Sequence, residues 1–183
     1  MSPAEEHRLV LKALDGSARA FDELLRAHER PLFRHLRRLL PTDDDAHDAL
    51  QQTFMAIVRG LRNLRRCELF RPWAYGVATR VALRTLSRRR PRARESEEVE
   101  EQLLDMTPSP ERLAETSERR EALLEKVLML SPPVRSVILL HFYEGLSLQQ
   151  VAAALEISLG TIKSRLNAGL QKLRSLEEVR NHV

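Results

Sequence analysis

SLQQVAAALEISLGTIKSRLNAGLQKLR, residues 147–174, reads as two helices joined by a tight corner. Ser147 has the side chain of an N-cap, and Gln150 three residues on completes a capping box. Leu148, Val151, Ala152 and Leu155 then share one helical face. Ser158 caps the second helix, whose apolar residues Ile162, Leu166, Leu170 and Leu173 recur at helical steps. Its other face carries Thr161, Lys163, Ser164, Asn167 and Gln171, all donors or acceptors. A helix with one apolar stripe and one donor-rich face, braced by a short first helix, has the geometry that enters a DNA major groove. The plain alternative is an ordinary helical hairpin on a protein surface.

Upstream, residues 119–130 read as a helix with Leu123, Leu124, Val127 and Leu128 inward. Ser131 caps the next helix, with Pro132 at its first position, and Glu144-Gly145 ends it by a glycine C-cap. Residues 119–176 therefore make one small helical domain, followed by a tail over 177–183. A second domain is predicted over 5–94. Its first helix covers 5–14 and its second runs from Ser17 to about Leu40 with Pro31 inside, where a kink or split near His28 is expected. Asp43 or Asp44 starts a third helix over 44–60, with Ala46, Ala49, Leu50, Phe54, Ile57 and Val58 inward and Asp48, Gln51, Gln52 and Met55 on another face. Residues 61–69 read as a ragged turn. A fourth helix begins near Phe70; Phe70, Trp73, Ala74, Val77, Ala78, Val81 and Leu86 form its buried stripe, and Arg71, Tyr75, Thr79, Arg80, Arg84 and Arg88 are left over.

Charge divides the chain the same way. Residues 1–94 hold 20 Lys+Arg against 11 Asp+Glu, residues 95–118 hold 1 against 9, and residues 119–183 hold 9 against 6. Two basic blocks around an acidic one point to two modules that meet a polyanion. SRRRPRAR, residues 87–94, puts five arginines in eight residues, an electrostatic footprint for phosphate. Residues 95–118 carry Pro108 and Pro110 and read as a disordered linker, with a helix starting within Glu111–Glu118. Such a linker relaxes to about 25–30 Å, enough to let the domains sit far apart on one duplex. The expected fold class is all-α: two small helical domains joined by an acidic flexible linker, the C-terminal one a helix-turn-helix. A single cysteine, Cys67, excludes an internal disulfide and fits a reducing compartment. No apolar run has signal-peptide or membrane-span length, so a cytoplasmic protein without membrane insertion is expected.

Taken together, DALQQTF (48–54), FRPWAYGVATRVALRTLSRRR (70–90), LSPPVRSVILLHFYEGLSLQQVAAAL (130–155) and ISLGTIKSRL (157–166) resemble the extracytoplasmic-function sigma factors of bacterial RNA polymerase, over about residues 8–176. The resemblance implies a factor that binds core RNA polymerase, directs it to specific promoter DNA and helps melt it. It assigns Asp48, Gln51, Gln52 and Met55 to core polymerase. It assigns Arg62, Asn63, Arg65, Arg66, Tyr75, Arg80, Arg84, Arg88, Arg89 and Arg90 to DNA at the minus-ten element. It assigns Thr161, Lys163, Ser164, Arg165 and Asn167 to the minus-thirty-five element. Residues 61–69 would capture a flipped base, with Asn63 and the arginines forming a hydrogen-bonding rim. An anti-sigma factor is a further expected partner; no cofactor, metal or small-molecule substrate is expected. The chain departs from the family's pattern at Glu156, where Gly is usual; at Ala168 and Leu170, where a basic pair is common; at Gln52, where Glu is usual; and at Arg80 and Arg84, where Asn and Asp are common.

Two other classes compete. A repressor or activator binding operator DNA as a dimer explains residues 119–176 but leaves SRRRPRAR and the 61–69 turn without a role. An enzyme needs a site, and His7, His28, His35, His47, His141 and His182 are scattered, with no nucleophile motif or phosphate loop beside them.

Overall fold

The computed structural model describes the backbone of residues 1–64, 66–89 and 117–181, and these are all helix and turn. Arg65, Arg90 to Arg94, the linker up to residue 116 with its expected helix start, and the last two residues of the tail lie outside the described residues.

Among the described residues, four α-helices build the N-terminal domain. α1 (Pro3–Leu14) opens with a capping box, the Ser2 hydroxyl accepting from the Glu5 amide at 3.2 Å. α2 (Ala18–Leu39) is capped by Ser17 and is a single helix through Pro31. The expected split at His28 does not occur. Proline removes one backbone hydrogen bond, whereas the buried stripe of Leu24, His28, Leu32, His35, Leu36 and Leu39 holds both sides of it in one register. α3 (Asp43–Gly60) is capped by Thr42, whose hydroxyl accepts from the Asp45 amide at 3.1 Å. α4 (Phe70–Arg89) follows two short 3₁₀ turns, Leu61–Asn63 and Cys67–Leu69, which give the ragged turn its form. Leu24, Leu32, Leu36, Leu39, Ile57 and Phe70 are fully buried at the centre of these helices.

Among the described residues the C-terminal domain is formed by α5 (Ser117–Leu128), α6 (Pro132–Ile138), α7 (Leu148–Leu155) and α8 (Leu159–Asn181). α6 runs on into a π-turn, Leu139–Tyr143, before Gly145 turns the chain at φ 69°. Ile138, Leu139, Leu140 and Ile162 are its fully buried centre.

Three helical faces depart from expectation. Val58 is 54% exposed, and Thr53 is buried in its stead, its hydroxyl satisfied by donation to the Ala49 carbonyl at 2.7 Å. Leu128 is 41% exposed, while Val127 and Leu130 fill the core beside it. On α4, Tyr75 and Thr79 are buried along with the apolar stripe. Thr79 is covered by His35 of α2 within the N-terminal domain, and Tyr75 meets both His35 and Glu144 of the C-terminal domain. The two domains touch: α7 packs along α4, and α6 reaches α2 and α4. They are in contact rather than far apart.

Candidate functional site

The strip expected to meet polymerase stands out on α3. Asp48, Gln51 and Gln52 are exposed, and Met55 is 52% exposed beside Val58. The same helix buries Ala46, Ala49, Leu50 and Ile57 toward the core, so its 3.6-residue period separates a packing side from a free one. A methionine and a valine flanked by an acid and two amides form a mixed apolar and polar patch suited to another protein.

The next surface continues into the 61–69 turns. Arg62, Asn63 and Arg66 are exposed, Arg66 with its Nε 3.1 Å from Glu68. Arg65 lies outside the described residues. On α4, Arg84 and Arg88 are exposed; the Arg89 side chain and all of Arg90 fall outside the description. Arg80 and Tyr75 differ from the others. Tyr75 is 3% exposed, and burial, then the neighbouring Glu144 carboxylate, raises its phenol well above the ordinary value. Stacking of Tyr75 on a base is closed off in this arrangement. Trp73 is half-buried, with its ring against Phe70 at 6.0 Å, as expected of a core residue.

The helix-turn-helix forms as its caps dictate. Ser147 accepts from the Gln150 amide at 3.2 Å while the Gln150 side chain accepts from the Ser147 amide at 2.9 Å. Ser158 accepts from the Thr161 amide at 3.0 Å to start α8. Of the five assigned recognition residues only Lys163 is fully exposed; Thr161, Ser164, Arg165 and Asn167 are half-buried. The Thr161 hydroxyl lies 2.8 Å from that of Ser158, so it serves the cap as well as the surface. Burial lowers the pKa of Arg165. Further along, Gln171, Lys172 and Arg174 are exposed. The corner between the helices is left-handed, with Glu156 at φ 60°, ψ 37°. It is the only non-glycine residue with positive φ among the described residues, and a side chain there costs about 1 kcal/mol relative to glycine.

Between the domains runs a seam of charge that the sequence did not reveal. Glu144, at the end of the π-turn, is 8% exposed, and its Oε1 lies 3.4 Å from His35 Nδ1 and 3.6 Å from Arg38 Nη1. Burial alone would raise its pKa; His35, then Tyr75 and Arg38, more than offset this and hold it below the ordinary value. Thr79 donates its hydroxyl proton to the Tyr75 carbonyl, so His35 Nε2 is the donor in the 2.8 Å bond to Thr79 and its Nδ1 is the atom turned to Glu144. Arg71 Nη2 donates to the Glu144 carbonyl at 2.8 Å, and Arg38 lies over the Tyr143 ring at 4.6 Å. Arg135 of α6 donates to the Leu128 and Leu130 carbonyls and reaches the Leu39 carbonyl at 3.4 Å, tying α5 and α2 to one guanidinium. At the other end of the seam, Arg80 donates to the Ala154 carbonyl and lies 3.2 Å from Glu156 Oε1. Gly76 makes this approach possible: a Cβ there would sit 2.9 Å from the Ala154 Cα and carbonyl carbon. Glu156, an acidic side chain at a position that favours glycine, marked the corner in the sequence but not its partner Arg80.

Residues 24–92 match the family model described as Sigma-70 region 2, and residues 120–173 match Sigma-70, region 4. The chain is 36% identical over 160 residues to the RNA polymerase sigma-E factor of Streptomyces coelicolor, covering 87% of this chain and 86% of that one. It is 31% identical over 156 residues to the ECF RNA polymerase sigma factor SigE of Mycolicibacterium smegmatis, covering 85% of this chain and 60% of that longer one. The fold is that of CnrH, solved with the cytosolic domain of CnrY (TM-score 0.66, 24% identity, 96% and 98% of the two chains). It is also that of the sigma factor RpoE from Bartonella quintana, solved with the anti-sigma factor NepR (TM-score 0.63, 21% identity, 87% and 97% of the two chains). With a region 2 whose α3 offers a free strip, a region 4 built as a helix-turn-helix, and relatives that share both, the chain belongs to the extracytoplasmic-function group of the sigma-70 family, the sigma factors that bring core RNA polymerase to promoter DNA.

Proposed function

We propose a division of this work among the surfaces of the chain. The α3 strip of Asp48, Gln51, Gln52 and Met55 docks on core polymerase. Arg62, Asn63, Arg65 and Arg66 in the turns, with Tyr75, Arg80, Arg84 and Arg88 to Arg90 on α4 and beyond, meet the minus-ten element and hold its melted strand. Thr161, Lys163, Ser164, Arg165 and Asn167 of α8 read the minus-thirty-five element, Lys163 reaching furthest and Arg174 meeting the backbone. The domain assignment follows: 5–94 for polymerase and minus-ten contacts, 95–118 as linker, 119–176 for minus-thirty-five contacts. The chain acts by binding, without catalysis, in the cytoplasm. No helix among the described residues is long and apolar enough to cross a membrane, which fits that setting. A protein partner like those held by CnrH and by the Bartonella factor is a further reading for this chain.

The observation that carries the proposal is the exposed Met55 within a polar strip on a helix whose opposite side is fully packed. Asp48→Arg reverses the charge of that strip at an exposed position, so it should reduce co-purification with core enzyme and leave the helical circular dichroism unchanged. Equal recovery of wild type and variant would remove the strip from the polymerase interface. The dimeric repressor reading makes the opposite prediction for DNA: a sharp two-fold footprint from the free protein at nanomolar concentration.

A further inference from the structure

Two carboxylates of the C-terminal domain rest on cations of the N-terminal domain. Glu144 faces His35 and Arg38 of α2 and Tyr75 of α4. Glu156 faces Arg80 of α4, with its side chain 70% exposed against 22% for Arg80. Among the described residues, the acceptors of the Arg80 guanidinium are the Ala154 carbonyl and the Glu156 carboxylate, from α7 and its corner. The backbone carbonyl of Glu144 takes Arg71 in addition. A guanidinium that pairs with a carboxylate offers the same fork of donors to a phosphate, and cannot satisfy both in one place.

We propose that Glu156 and Glu144 form an acidic latch holding the free chain closed: the Glu156 carboxylate stands on Arg80 where a DNA phosphate would, and Glu144, on Arg38 of α2 and Tyr75, anchors the same closure with Tyr75 covered. Glu156 bears the cost of a left-handed backbone, and its ion pair with Arg80 is what that side chain adds over glycine. The latch must open before α4 meets DNA, so a closed chain binds DNA more weakly by the fraction of molecules that are open. This inference rests on the reading of Arg80 as a DNA contact.

The test uses the full chain, dyes on α3 and α8, and a mixed-sequence duplex as probe. Glu156→Gln keeps the backbone demand and removes the charge; Glu156→Gly removes both and keeps the corner. Each should raise the ratio of open to closed molecules, read by single-molecule energy transfer, about two- to fivefold, the range of an ion pair of this exposure. Affinity for the duplex should rise by a matching factor. Arg80→Ala, which also removes the bond to the Ala154 carbonyl, should open the chain at least as far without the gain in affinity. An unchanged open fraction in both Glu156 variants would overturn the latch, and opening without a gain in affinity would overturn its inhibitory role. Holoenzyme carrying Arg80→Ala separates the two readings. Unchanged affinity of that holoenzyme for a promoter would remove Arg80 from the DNA surface, while the energy-transfer ratio judges the latch independently.

Discussion

Gly76→Ala tests the closed packing without touching a charged group. Gly76 lies within α4, where alanine is the better helix former by about 1 kcal/mol, so the substitution favours the N-terminal domain taken by itself. Across the seam the effect is opposite. The new Cβ would lie 2.9 Å from the Cα and the carbonyl carbon of Ala154, and closer to its oxygen, all backbone atoms of α7. Ordinary contact begins at 3.4 Å, so α7 must retreat by at least about 0.5 Å. That retreat lengthens the bond from Arg80 to the Ala154 carbonyl and draws Glu156 from Arg80. Overpacking of this kind costs about 1–3 kcal/mol, here charged only to the docked state. At about 1.4 kcal/mol per factor of ten, the open-to-closed ratio should rise by roughly 5- to 150-fold. The assay is small-angle scattering, with thermal unfolding alongside. A larger radius of gyration with the N-terminal melting transition held or raised is the expected result. An unchanged radius in a folded variant would mean that α4 and α7 do not meet as described.

Phe70→Ala empties a fully buried site whose ring meets His28 at 5.1 Å, so thermal or denaturant unfolding should show a loss of about 3–5 kcal/mol. Lys163→Ala removes the exposed lysine of the recognition helix; if it reads a base, holoenzyme should lose about 1–3 kcal/mol at its preferred upstream element and little on scrambled sequence, measured by footprint titration. Glu144 is held below its ordinary pKa of 4.5 in the folded chain, so its contribution is complete above 4.5 and is lost as the pH falls through the lower folded value. Acid titration of compactness should show an opening below pH 4.5, and Glu144→Gln should remove that part of the transition. His35, Arg38, Tyr75 and Arg71 face the same residue.

Much of the molecule was legible residue by residue because the rules that built it act over three or four positions. Ser17, Ser147 and Ser158 each accept an amide three residues on. The free strip of α3 and the stripe of α8 follow from helical period alone. Even the left-handed corner was marked in advance, since Glu156 stood where a glycine was expected. Single positions at the edge of a stripe were not so determined. Val58 and Leu128 lie one step from buried neighbours, and which of two adjacent apolar residues turns inward depends on the helix packed against them. The seam was beyond any local pattern. Arg71 meets Glu144 across 73 residues and Arg80 meets Ala154 across 74, with the linker between. The polar face of α4 looked free because its partners lie far along the chain: His35 of α2 meets Thr79 and Tyr75, and the C-terminal domain adds Glu144 to Tyr75 and Ala154 to Arg80. Sequence alone determined the helices and the caps at Ser17, Ser147 and Ser158. Tertiary structure decided which helix surfaces stand open, because closure adds up weak contacts between residues that have no proximity along the chain.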